Sequence, residues 1–330
     1  MDDRGLLDLI ISRLPGLNSR DRICLCEKLD REGDLIKFSK EAMEGILGHS
    51  LKNFWDIDEI CAMAQRDAAT CRMRSIHWVN WKDPAYPPAL REIYDPPAIL
   101  FFRGCLPNPQ KPLLGMVGTR KPSPEAAAQA FALARDLGRM GISVVSGLAI
   151  GIDAMSHKGN LEGGAPTFSV LGSGVDEVYP LVNRTLAMRI LENGGAILSE
   201  YPPGTAPLKW NFPARNRIIS GLSRSVLIVE APQHSGALIT ADMALDQGRE
   251  LWVASSGIGS GETGLYDKRG TAKLAGDGAE IIHQANDVLE KWEITAGEQG
   301  TQEYVPVENS CVNTGRALAA SMAKSLDIDL

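Results

Sequence analysis

Hydrophobic positions along this 330-residue chain change their spacing near residue 113. Over roughly the first 70 residues they recur every three or four positions, as in LLDLIISRL, PGLNSRDRICLCEKL and SKEAMEGILG, which places them on one face of a helix. That spacing predicts a small domain of short helices over residues 1–70. Residues 71–112 read differently. SIHWVNW has strand character, while the closely spaced prolines of DPAYPPALREIYDPPAILFFRG break helices and favour extended, turn-rich backbone. The stretch is expected to be a stiff junction.

From residue 113 short apolar runs alternate with helical ones. Strands are predicted at LLGMVGT (113–119), ISVVSG (142–147), TFSVLG (167–172), AILSE (196–200), SVLIVEA (225–231), LWVASS (251–256) and EIIH (280–283). Helices are predicted at PEAAAQAFALARDLGRMG, IDAMSHKGNLEGG, NRTLAMRILENGG, SGALITADMALDQGR and NDVLEKW. Strands apolar on both faces and joined by helices imply a parallel sheet covered on both sides, and right-handed crossovers then give a doubly wound α/β fold. The expectation for residues 113–292 is an extended Rossmann-like, mostly parallel sheet. After Trp292 the chain turns polar, so residues 293–330 read as a linker with GRALAASMAKSLDIDL as a short terminal helix.

Composition narrows the class. With 34 basic and 41 acidic residues, 44% hydrophobic and 6% aromatic, the chain is expected to be soluble and globular. No apolar run approaches the roughly 20 residues that cross a bilayer, and MDDRGLLDLI carries acids where a secretory signal carries bases, which predicts a cytoplasmic protein without membrane contact. Six cysteines (Cys24, Cys26, Cys61, Cys71, Cys105, Cys311) form no CxxC pair and read as buried reduced thiols. The turn after the first strand, Gly118-Thr119-Arg120, is not GxGxxG, and the second strand ends in Ser146-Gly147 instead of the acid that holds a ribose. GxxxxGK[ST], HExxH, GxSxG and His/Cys metal spacing are absent as well. No dinucleotide, P-loop nucleotide, metal or other cofactor is predicted.

Local charge changes this picture. Residues 181–229 hold six bases (Arg184, Arg189, Lys209, Arg215, Arg217, Arg224) and two acids, a net of +4 in an acidic protein. The loops leaving the strands, GTRKPSPE, SGLAIGID, GSGVDEVYP, SEYPPGT and EAPQHSGALIT, are rich in Gly, Ser and Thr, which let backbone approach an anion. Tyr179, Tyr201, Trp210 and Phe212 fall in or beside these loops. Unpaired bases stack on such rings for about 1–3 kcal/mol each, whereas duplex bases are already stacked. The combination points to single-stranded nucleic acid, against the alternative that each ring merely plugs the sheet end. In FPARNRIISGLS, IISGLS reads as a short helix with Arg215 just before it and Arg217 in its first turn, where a cation opposes the helix dipole unless an anion arrives. His157 is expected to face the sheet from a helix, and His234 to begin a loop. LPGLNSRD is similar to a helix-hairpin-helix turn with Asn18 in place of the second glycine, so packing and DNA contact both stay open.

The run VSGLAIGID, GSGVDEVYPLVNRTL, GGAILSEYPPGTAP, FPARNRIISGLS, IVEA and SGALITADMALDQGRE closely resembles, in order over about 180 residues, the DprA/Smf family of DNA-processing proteins. The resemblance implies an extended Rossmann domain behind a small helical domain of SAM or helix-hairpin-helix type. It further implies non-catalytic binding and protection of single-stranded DNA, a homodimer, and transfer of incoming strands to the recombinase RecA in natural transformation. Residue by residue, it implies an anion loop at Gly118, Thr119 and Arg120, a polar pair at Asn183 and Arg184, pocket-floor donors at Ser146, Gly147, Gly172, Ser173 and Gly174, and a basic lip at Arg215 and Arg217 with Asn216 fixing the turn or a base edge; the ring of Phe212 is counted with these DNA-binding residues. Leu181, Ser256 and Ala272 depart from the family pattern, and the tail is expected to be too short for the winged helix that many relatives add. The competing reading is a Rossmann-like hydrolase of nucleoside monophosphates. Glu200 and Glu230 would then be its carboxylates, although each is read more simply as a partner of Arg215 or Arg217.

Overall fold

A computed structural model describes residues 3–30, 40–51, 55–259 and 266–294. The predicted tail, its terminal helix and Cys311 lie outside the described residues.

The first residues form α1 (Asp3–Arg13), α2 (Ser19–Lys28), α3 (Lys40–Leu47) and α4 (Ile57–Arg74). Asn18 caps α2: its side chain accepts from Asp21 N while the Asp21 carboxylate accepts from Asn18 N, a reciprocal capping box. Arg22 then donates to the carbonyls of Ile11, Leu14 and Leu17, closing the C-terminal end of α1. The hairpin-like turn is therefore tied into the packing of α1 against α2 through its carbonyls and through Asn18 N.

The apolar runs after residue 113 all become strands: β3 (Leu113–Val117), β4 (Ser143–Ser146), β5 (Phe168–Val170), β6 (Ala196–Ser199), β7 (Ser225–Ile228), β8 (Glu250–Ala254) and β9 (Glu280–Ile282). Two more precede them, β1 (His77–Asn80) and β2 (Ile99–Gly104), giving a nine-stranded sheet in the order β1-β2-β6-β5-β4-β3-β7-β8-β9. β1 and β2 are antiparallel, and β2 joins β6 antiparallel with Phe101 opposite Ser199. From β6 to β9 every pairing is parallel. Residues 71–112 thus extend the sheet and are more than a junction; the prolines flank β2 and leave its ladder intact.

Connecting segments are α5 (Pro88–Arg91), α6 (Pro124–Arg139), α7 (Ile152–Glu162), α8 (Arg184–Glu192), α9 (Asn211–Leu222), α10 (Gly236–Asp246), α11 (Arg269–Gly276) and α12 (Ala285–Lys291). α9 and α10 cover one face through Ile218, Ile219, Leu222, Ala237 and Ala241. α6 and α12 cover β3, β4, β7 and β8 on the other through Ala130, Leu133, Leu137 and Val288. The chain proceeds from β3 outward to β6, then returns past β3 to build β7, β8 and β9 on its other side. The crevice beyond the carboxyl ends of β3 and β7 is the topological switch point, where ligands of doubly wound sheets bind.

The helical domain does not have a separate core. Leu7, Ile10, Leu25 and Trp55 share one buried cluster with Phe101, Leu148, Leu171, Ile190 and Ile197 of the sheet layer. No disulfide joins the five described cysteines; Cys26 and Cys71 are buried and Cys24, Cys61 and Cys105 half-buried. No described helix is long and apolar enough to cross a membrane. Because Phe101 sits fully buried in the shared cluster, Phe101→Ala is expected to cost about 3–5 kcal/mol. Chemical denaturation followed by tryptophan fluorescence and by circular dichroism should show one common transition, and two separated transitions would contradict a shared core.

Candidate nucleic-acid interface

The turn after β3 is pinned from two sides. Thr119 N donates to the Glu230 carbonyl at 2.7 Å, and Thr119 O accepts from Ile152 N at 3.2 Å. Gly151, at φ 84°, lets the start of α7 lie directly against Thr119 and Arg120, where any Cβ would collide with their backbone. The pinned turn leaves Arg120 exposed at the mouth of the crevice, its guanidinium 5.8 Å from the centre of the Phe212 ring. No carboxylate of the described residues pairs with it. Phe212 lies 5.6 Å from Tyr179, centre to centre, with the rings tilted by 44°.

These side chains wall a cavity of about 520 Å³. Gly118, Thr119 and Arg120 form one side, Tyr179, Lys209 and Phe212 the outer rim, Arg215 and Asn216 the floor, and Ser235, Gly236 and Thr240 of α10 the far wall. Ser256 and Ala272 do not line it, so those departures from the family pattern leave it unchanged, whereas Leu181 projects into solvent beside Tyr179. A larger groove of about 900 Å³ between α10 and α11 has Arg249 and Lys273 balanced by Asp242, Glu250 and Asp277, and so offers no net attraction for an anion. Among the described residues no group of three His, Cys, Asp or Glu could hold a metal.

The FPARNR segment departs from its sequence reading. The helix starts at Asn211, not after Arg215, with Pro213 in its first turn, where the missing N–H has no helical acceptor to serve. Arg215 and Arg217 therefore both lie inside α9 and point in directions about 200° apart. Arg215 is only 5% exposed; it donates to the carbonyls of Gly147 and Val170 and to Asn216 Oδ1, the last at 3.1 Å. A side chain at Gly147 would overlap the guanidinium. Burial lowers Arg215 to about 10, opposed by the nearby Asp153, so it remains a cation at neutral pH. Arg217 leaves the site altogether. Its Nη1 and Nη2 donate to the two Glu200 oxygens at 2.7 Å each, and Nε reaches the Asp95 carbonyl at 2.8 Å. Burial pulls Arg217 down, but the Glu200 pair outweighs it and holds the guanidinium above its ordinary value.

Several other expected contacts are satisfied internally, although the buried Ser173 hydroxyl has no hydrogen-bond partner among the described residues. Ser146 Oγ donates to Met116 O at 2.6 Å and Gly147 N to Asp153 at 3.1 Å; Gly174 N donates to Thr205 O at 2.9 Å. Gly172 and Ser173 sit beneath Phe212 and the 199–205 loop, outside the cavity. Asn183 Nδ2 donates to Leu148 O at 2.8 Å, and Arg184 begins α8 outside the cavity. Glu230 accepts from Ser123 N and Oγ at 2.9 and 2.6 Å and lies 3.7 Å from Lys268, so it partners neither Arg215 nor Arg217. The basic segment is dispersed, since Arg224 packs on Trp292, 5.3 Å from its ring centre. Lys209 was visible only as one charge in that segment; its place on the rim comes from the turn that brings Leu208 O to Asn211 N at 2.9 Å. Asp153, which receives Gly147 N and Ala149 N beneath Arg215, has a sequence signal only in its position at the start of a predicted helix.

A doubly wound sheet extended by an antiparallel pair, with a cation-and-aromatic cavity at the switch point and neither P-loop nor dinucleotide turn, defines the class: an extended Rossmann-like α/β protein. The family model described as DNA recombination-mediator protein A matches residues 77–293. DNA processing protein DprA of Bacillus subtilis is 38% identical over 292 residues, 88% of this chain and 96% of that relative. Protein Smf of Synechocystis is 42% identical over 263 residues, covering 78% of this chain and 62% of that protein. The crystal structure of DprA from Streptococcus pneumoniae superposes with a TM-score of 0.69 at 30% identity, covering 88% of this chain and 98% of that one. DNA processing protein A of Helicobacter pylori, a protein whose structure is described for its single-stranded DNA binding mode, matches with a TM-score of 0.57 at 28% identity over 67% of this chain and 97% of that one. The chain belongs to the DprA/Smf family of DNA-processing proteins.

Two outcomes follow from this geometry. With Arg217 and Glu200 11% and 18% exposed, Arg217→Gln strands a largely buried carboxylate and is expected to lower stability by about 3 kcal/mol in denaturant titration; unchanged stability would show that the pair contributes nothing. His157, fully buried with Nδ1 2.8 Å from Thr167 Oγ1, is lowered to about 3 by burial and by Arg215. A depressed histidine stabilises the fold fully above its unfolded value of about 6.5 and progressively less below it. Between those pH values the native protein should therefore lose up to about 1.4 kcal/mol per pH unit relative to His157→Gln. Parallel pH–stability curves for the two would contradict a neutral, buried His157.

Proposed function

We propose that this chain is a non-catalytic, single-stranded-DNA-binding protein whose strand enters the switch-point cavity. The observation that carries the reading is Arg120, an exposed cation with no carboxylate partner among the described residues, set 5.8 Å from Phe212, which in turn packs on Tyr179. A phosphate at Arg120 and Lys209 leaves its base beside two rings, a geometry available to an unpaired base and denied to a stacked one. Arg215 adds positive potential from below without direct contact. The H. pylori relative's described binding mode supports the same choice. The hydrolase reading has less support: Glu200 is spent on Arg217 and Glu230 on Ser123, and neither lines the cavity. A base-release assay on nucleoside monophosphates tests it directly.

Family membership extends the proposal to a cytoplasmic homodimer that protects incoming single strands and helps load RecA during DNA uptake and recombination. Strand exchange by RecA on strands pre-coated with a single-strand-binding protein, with and without this chain, is the corresponding assay, and no acceleration would count against that role.

For binding itself, Arg120→Ala is expected to remove most single-strand affinity while the melting temperature stays within about 2 °C, since an exposed side chain without a partner contributes little to stability. Titrations against single-stranded and duplex oligonucleotides at several salt concentrations should show preference for the single strand and a log–log slope of about −0.7 per phosphate neutralised. Equal binding to duplex, a flat salt response, or an Arg120→Ala protein that binds normally would refute the assignment. Arg217→Gln, where folded, should bind like the native protein.

A further inference from the structure

Outside the cavity, one buried arginine leaves a guanidinium nitrogen without a hydrogen-bond partner among the described residues. Arg103 on β2 is 3% exposed, and among the described residues no acceptor meets its Nε. Its surroundings are cationic: besides burial, Arg74 at the end of α4 and Arg184 at the start of α8 both act against its charge, and Asp176 is the acid that faces it. Asp176 brings one negative charge against three guanidinium groups, and its carboxylate also accepts from Gly204 N at 3.0 and 2.9 Å. Arg74 Nη1 reaches only its backbone carbonyl, at 3.0 Å. The start of α8 adds to the positive potential, since the Asn183 side chain turns away to Leu148 O and leaves that helix without a side-chain cap. A cation withdrawn from water without a paired acceptor is unfavourable unless an anion reaches it. Between this place and the switch-point cavity runs the 176–184 segment, which holds Tyr179, Leu181 and Val182 out at 43%, 72% and 74% exposure.

We propose that Arg74, Arg103 and Arg184 form a second phosphate-receiving site, which takes a backbone phosphate of the same strand after it leaves Arg120 and crosses the Tyr179–Val182 loop. The inference rests on the single-stranded-DNA reading and gives that strand a direction, toward the seam between the sheet and the helical domain. Its ligand chemistry is a phosphate group, which a strand or free phosphate could both supply.

The test uses the full chain and fluorescent oligothymidylates of about 5 and about 20 nucleotides, the short one filling the cavity and the long one reaching beyond it. In the Arg74→Gln/Arg184→Gln double variant the long strand should lose about 0.7 of its log–log salt slope for each phosphate contact removed, while the short strand binds as before. Arg103→Met should show the same selective loss and, without DNA, a melting temperature equal to or above that of the native protein. Native binding to both lengths with unchanged slopes in the variants overturns the second site alone. A marked drop in melting temperature for Arg103→Met with full long-strand binding overturns it too, by making Arg103 an internal structural cation. If inorganic phosphate at constant ionic strength stabilises the native protein but not Arg103→Met, while both bind the long strand with one slope, the site takes free phosphate and the strand path is wrong. Failure of the native protein to bind either length refutes instead the reading on which the proposal stands.

Discussion

Everything at the switch point hangs on one buried guanidinium. Arg215 enters the sheet from α9 and is held by the carbonyls of Gly147 and Val170, at the ends of β4 and β5, with Asp153 opposing its charge from α7. Removing a cation from water is costly unless acceptors and a counter-charge surround it, and here they come from three separate elements. That requirement fixes the rotation of α9 about its axis. Phe212, one turn earlier, is thereby turned to the cavity, and Arg217, about 200° away, is turned to Glu200 and Asp95.

Such an arrangement separates two jobs that one arginine-rich motif appears in sequence to combine. Inside α9, Arg215 supports the cavity floor and Arg217 ties the helix to Glu200 and Asp95, while the exposed charge at the cavity mouth, Arg120, comes from a different loop. Arg120 owes its exposure to backbone pinning by Glu230 O and Ile152 N, and among the described residues no carboxylate pairs with it. In the proposed function, the Tyr179–Phe212 pair would make the place beside Arg120 suited to an unstacked base. An acidic protein can bind a polyanion in this way because the charge that matters is local.

The parallel sheet was legible because its strands are apolar on both faces, and each of the seven runs after residue 113 holds a strand whose ends fall within three residues of its expected bounds. β2 was hidden, since prolines on both flanks mark turns and its antiparallel pairing to β6 is a tertiary choice. The start of α9 was misplaced for a similar reason: Pro213 reads as a barrier, although the first helical turn tolerates it. That Gly118, Thr119 and Arg120 stand together at a strand end was legible from their place after the first apolar run, and the structure puts all three on the cavity. Glu200 was one of two acids named for Arg217, but which would claim it depended on a loop geometry that spacing does not encode, and the second partner, Asp95, lies more than a hundred residues away in the chain and was not foreseen. Lys209 and the α10 wall of the cavity were assembled by the crossover alone.

The claim that a base lies against Phe212 and Tyr179 while its phosphate meets Arg120 is tested most directly by photocrosslinking a bromouracil-substituted single strand to the native protein and mapping the adducts by mass spectrometry. The account predicts adducts at Phe212 or Tyr179, or at the exposed Trp210 between Lys209 and Phe212 in the chain, and their loss when unlabelled single strand competes. Efficient crosslinking confined to the helical domain, with none around the switch-point cavity, would contradict it.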